Sequence, residues 1–123
     1  MELKNKLAQN LYGPPDYTLS VGLQLRGPEV KFFRAYHVAF TTAYATIENG
    51  QLFLHDVSFG GQKTRKIKCL AHKNEIIKLA KRKEKLDRST IALLRLFAES
   101  GWIKAELGLV QGQNKADKRR QIK

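Results

Sequence analysis

From Asp16 to Leu25 the apolar side chains Tyr17, Leu19, Val21, Leu23 and Leu25 fall at every second position without a break. A period of two belongs to a strand with one face buried, because successive side chains of an extended chain point to opposite faces. Gly13, Pro14 and Pro15 stop any helix before it, and Gly27-Pro28-Glu29 follows it with a proline suited to a first helical position and an acid in the first turn. A short helix from Pro28 to about Tyr36 is therefore expected. Ala43 to Val57 reads as a hairpin around Asn49-Gly50, a dipeptide that tolerates the positive φ angles of a tight turn. Gly60-Gly61 opens a flexible basic loop, Gln62 to Lys66, that runs into a strand at Ile67 to Ala71. In His72 to Leu86 the residues Ile76, Leu79, Ala80 and Lys83 share one helical face, Ile77 widens the apolar stripe, and Lys78, Lys81, Arg82 and Lys85 turn outward. Two more strands, Thr90 to Ala98 and Trp102 to Val110, flank a turn at Ser100-Gly101.

About six short strands with one main helix predict a mainly β domain: an OB-fold-like antiparallel six-stranded barrel with two or three flanking helices. The chain divides into an N-terminal arm (1–15), a barrel domain (16–112) and a basic C-terminal segment (113–123). With 123 residues it can bury a core without disulfides. The single cysteine, Cys69, has no partner within the chain and lies in an apolar stretch, as a small buried hydrophobe does. No secretory h-region begins at Met1, and no apolar run is long enough for a membrane span. A reducing compartment fits: the bacterial cytoplasm, or a mitochondrial or plastid matrix.

The formal net charge is +12, and its placement says more than its size. Residues 1–62 carry no net charge, residues 63–88 carry +8 and residues 89–123 carry +4. Such a cluster attracts polyanions, although a solvated lysine-rich helix would produce part of it without any partner. Lys63, Arg65, Lys66 and Lys68 lie on a loop entering a strand, where long side chains can fan over neighbouring phosphates while Ile67 and Cys69 point to the core. Phe32, Phe33, Tyr36 and Trp102 are candidate platforms for unpaired bases, although aromatics at such spacings are usually core. Catalysis finds little support. His37, His55 and His72, one cysteine and single carboxylates form no motif, and His55 and Asp56 are adjacent on a strand and so point apart. No cofactor, metal or enzymatic reaction is expected.

Three blocks resemble a known family. Gly22-Leu23-Gln24-Leu25-Arg26-Gly27-Pro28-Glu29-Val30-Lys31 with Arg34-Ala35 is similar to its first signature. Thr64-Arg65-Lys66-Ile67-Lys68 leading to His72-Lys73-Asn74-Glu75-Ile76 resembles its basic loop, strand and helix start. Lys104 to Gly112 with Asp117-Lys118-Arg119 and Ile122-Lys123 resembles its terminal strand and Asp-Lys-Arg motif. The family is SmpB, whose members carry transfer-messenger RNA (tmRNA) to stalled bacterial ribosomes. The resemblance implies a monomeric barrel that grips the tRNA-like domain of tmRNA and meets ribosomal RNA in the decoding region of the small subunit. Ser20, Leu70, His72 and Lys104 stand at the family's RNA-facing positions, and Ser20 departs from the usual glutamate. Glu29, Lys31 and Arg34 join them from the first block, Lys63, Arg65, Lys66 and Lys68 from the second, and Lys115, Lys118, Arg119 and Arg120 from the terminal segment.

Other departures are the missing basic Arg-Ala-Arg-His stretch near the N-terminus and the loop shortened to Ser58-Phe59-Gly60-Gly61. The chain stops at Lys123, where family members continue into a basic tail. A divergent or tail-less member is the expectation, with RNA binding kept and peptide tagging weak or lost. The alternative is an SmpB-derived structural or accessory ribosomal protein that no longer acts with tmRNA.

Overall fold

The computed structural model describes residues 2–63 and 65–111. Six strands close an antiparallel barrel: β2 (Tyr17–Leu23), β4 (Tyr44–Glu48), β5 (Gln51–His55), β8 (Ile67–Leu70), β9 (Ser89–Glu99) and β10 (Trp102–Gln111). Around the barrel the order is β9-β10-β2-β8-β5-β4, and β4 returns to pair with β9. Two turns of two residues drive the hairpins. Asn49-Gly50 and Ser100-Gly101 all have positive φ, the geometry whose twist matches that of the flanking strands.

The alternation of β2 does what its period requires. Leu19, Val21 and Leu23 are buried, while Thr18 and Ser20 are exposed. They meet Leu52, Leu54, Ile67, Ile91, Leu93, Leu107 and Leu109 in one core. Each such side chain contributes roughly 1.5–3 kcal/mol by leaving water. One end of the barrel is capped by α2 (Gly27–Arg34), which buries Phe33, and α3 (Lys73–Lys85) buries Ile76 and Leu79 against the same core.

Several expectations change. Phe33 is 1% exposed and belongs to the core, so it is no stacking platform. Ile77 does not widen the buried stripe of α3: it is 43% exposed, and Ile76 and Leu79 are the residues the helix buries. The first residues form β1 (Glu2–Lys4) and α1 (Lys6–Tyr12). β1 adds to the free edge of β9 beyond the point where β4 leaves it. A small second sheet also appears: β3 (Val38–Ala39), β6 (Ser58–Phe59) and β7 (Gln62–Lys63). Gln62 and Lys63, expected in a flexible loop, pair with Phe59 and Ser58. Gly60 turns this hairpin at φ +62° under Phe32, where a Cβ would fall 2.5 Å from the ring.

A β-bulge divides the outer face of the β9–β10 hairpin. Glu106 pairs with Arg95 and Leu107 with Leu93, leaving Leu94 as the extra residue. On one side of it Ala92, Leu94 and Val110 are covered by Ala8 and Tyr12 of α1. On the other side the face stays open, and it is there that the expected RNA-facing residues gather.

Candidate nucleic-acid interface

Lys104 of β10 pairs with Gly22 of β2, and Gly22 pairs in turn with Leu70 of β8. A lysine, a stretch of bare backbone and a 43% exposed leucine therefore form one outer row, with cross-strand neighbours about 5 Å apart. The next row runs Arg95, Glu106, Ser20. His72 follows Leu70 by two residues, exposed at the N-cap of α3, where its backbone N–H donates to Glu75 Oε1 at 3.1 Å. Strand pairing thus brings Ser20, Leu70 and Lys104, far apart in sequence, onto neighbouring rows, with His72 just beyond the end of β8. Lys68 is exposed two residues before Leu70, with no ion-pair partner among the described residues.

The other cations of this face are paired with part-exposed carboxylates. Lys104 Nζ lies 3.0 Å from Glu99, whose side chain is more than half exposed. Arg95 reaches Glu2 at 3.0 Å and Glu106 at 3.4 Å, and its guanidinium stacks over Phe97 at 4.2 Å. Exposed pairs of this kind are worth about 0–1 kcal/mol, so a phosphate can replace the carboxylate at little cost. Arg95 was not singled out from the sequence. Its signal is a lone cation interrupting the apolar run Ile91 to Phe97.

Other expected residues are used differently. Glu29 is turned inward, its Oε1 accepting from Arg26 N–H at 2.7 Å and standing 3.4 Å from Arg65 Nη2. Arg65 does not fan outward: it also donates to the carbonyls of Lys66 and Gln24, tying the basic segment to the start of α2. Lys66 lies 2.9 Å from Glu48 and 4.4 Å from the centre of the Phe53 ring. Both depart from the fan because a carboxylate stands within reach of each. Lys31 and Arg34 are exposed in the last turn of α2. Lys63 lies on β7, while Lys115, Lys118, Arg119 and Arg120 lie outside the described residues.

His55 stacks on Tyr44 with ring centres 5.0 Å apart, and its Nε2 lies 2.7 Å from Thr46 Oγ1. Thr46 donates to Glu48, and this hydroxyl, followed by Lys66, holds the Glu48 carboxyl below its ordinary range. Burial pushes the Cys69 thiol up to about 12, so it stays protonated at neutral pH. Among the described residues no group of three His, Cys, Asp or Glu side chains is placed to hold a metal ion. No described helix is long and apolar enough to cross a membrane.

Fold and face together define a class: a small basic β-barrel with one open, cation-bearing sheet face, the architecture of oligonucleotide-binding modules. A family model described as SmpB protein matches residues 2–123. The chain belongs to the SmpB family. An SsrA-binding protein of Lactobacillus delbrueckii subsp. bulgaricus is 36% identical over 133 aligned positions, covering 98% of this chain and 86% of the relative. One from Treponema pallidum is 36% identical over 129, covering 98% and 82%, and one from Mycoplasmopsis agalactiae is 38% identical over 109, covering 83% and 74%. A solved chain described under "tmRNA-SmpB: a journey to the center of the bacterial ribosome" superposes with a TM-score of 0.75 at 30% identity, covering 99% of this chain and 94% of that one.

Proposed function

We propose that this protein binds the tRNA-like domain of tmRNA and delivers it to stalled ribosomes, acting in the bacterial cytoplasm as a binding protein and not as an enzyme. The observation that carries this reading is the Lys104–Gly22–Leu70 row, in which three strands bring a part-exposed cation, a bare backbone and an apolar side chain to one face. Folded RNA is recognised mostly by its shape and its phosphate and sugar surface, and such a row can follow that surface without reading bases. The bacterial relatives named as SsrA-binding proteins, and the superposed chain from a tmRNA–SmpB ribosome study, support the same partners. The barrel domain, residues 16–112, is the RNA-binding part in this reading. Lys68, Lys104, Ser20, Leu70 and His72 face the RNA, while Glu29 and Arg65 hold α2 in place.

The test is to purify the chain from a bacterial host and sequence the RNA that comes with it. A tmRNA enriched far above ribosomal RNA is the expected result. RNA-free material, or ribosomal RNA in fixed stoichiometry, would overturn the reading, the latter in favour of a permanent ribosomal component.

A further inference from the structure

Between α2 and the turn of the β9–β10 hairpin lies a cleft of about 370 Å³. Leu23, Phe33 and Ile103, all buried, line its interior with Val30, and exposed Gln24, Arg34 and Trp102 stand at its mouth. We propose that this cleft receives one unpaired nucleobase extruded from the bound RNA, with Trp102 as its stacking surface. The proposal rests on the RNA-binding reading above and adds a site to it.

Three observations select a base over other occupants. The volume lies at the low end of the range for small-molecule sites, enough for one planar ring system and too small for a helix. Trp102 is 54% exposed and lies two residues before Lys104 on the same outward phase of β10, so a base stacked on it stands next to the cationic row. The mouth is also chemically mixed. The Gln24 amide has no hydrogen-bond partner among the described residues and can both donate to and accept from a base edge. Arg34 has no ion pair there and can meet the phosphate of the same nucleotide. An apolar peptide side chain would leave both polar groups unused. The lining contains no carboxylate to repel the nucleotide's phosphate.

Trp102 is the single tryptophan, so its emission reports on this cleft alone. The full chain is titrated with the RNA that copurifies with it, and acrylamide quenching of Trp102 is measured in both states. Binding should alter the emission and shield the indole from acrylamide. Trp102→Leu should weaken RNA affinity about tenfold, as loss of one stacked base does. Its salt dependence should stay unchanged, because no phosphate contact is removed. If that variant fails to fold, the emission of the unaltered chain decides alone. RNA bound tightly with Trp102 emission and acrylamide access unaltered would overturn the inference and leave the RNA-binding reading standing. Shielding that grows with protein concentration in the absence of RNA would also overturn it, marking the cleft as a contact between copies. Failure of the unaltered chain to bind RNA at all would remove both.

Discussion

Asn5 is 1% exposed, and its carboxamide joins three parts of the chain. Its Nδ2 donates to the carbonyls of Leu93 at 2.8 Å, Thr41 at 3.2 Å and Phe40 at 3.3 Å, and its Oδ1 accepts from Ala8 N–H as the N-cap of α1. A buried donor or acceptor that loses its partner costs its full desolvation. Asn5→Ala should therefore destabilise the fold by about 2–3 kcal/mol, read as a lower urea midpoint with an unchanged slope. Unchanged stability would show that water replaces the amide. No feature of the sequence near Asn5 announces this role, since an asparagine beside lysines reads as surface and its partners lie up to 88 residues away. The same blindness applied to the cations. Lys66 and Arg65 were legible as charge, but their partners Glu48 and Glu29 lie 18 and 36 residues distant and become neighbours only in the folded chain.

Among the elements, those with one buried face were legible and those without were not. β2 and β5 follow the alternation that burial imposes, β10 follows it as far as Leu107, and Pro28 with Glu29 marks the start of α2. β3, β6 and β7 are two residues each, too short to show any period. β9 hides its bulge inside a nearly continuous apolar run, because part of its outer face is also buried, under α1. That covered part depends on Gly108. A Cβ there would fall 2.6 Å from Leu94 Cδ1 and 3.2 Å from Pro15 Cβ. Gly108→Ala should cost about 1–3 kcal/mol through overpacking despite the better strand propensity of alanine. Adding Leu94→Ala should return part of that loss in a double-mutant cycle, and strictly additive effects would contradict the proposed collision.

Across the whole molecule the charge is segregated, with residues 63–88 holding most of the excess. α3 presents Lys73, Lys78, Lys81, Arg82 and Lys85 to solvent, and Arg82 also lies over the Tyr17 ring at 4.7 Å. Cations spread over a wide surface favour association dominated by phosphate contacts. Log affinity for RNA should accordingly fall linearly with log salt, and Lys104→Ala should reduce the slope by about one if the lysine meets a phosphate. A slope unaffected by Lys104→Ala would move that lysine off the interface. The open face itself was legible only through the family resemblance; residue composition pointed to RNA without saying which side of the barrel would bear it.

The long strand β9 takes β10 along one edge and, on the other, β1 near its end and β4 near its start. Until residues 89–99 are synthesised, the first strand has no partner and the fourth is paired only with β5, so the cylinder remains an unsealed trough. Assembly thus waits for the final hairpin, and an incomplete translation product would carry raw sheet edges and uncovered leucines, a species prone to aggregate.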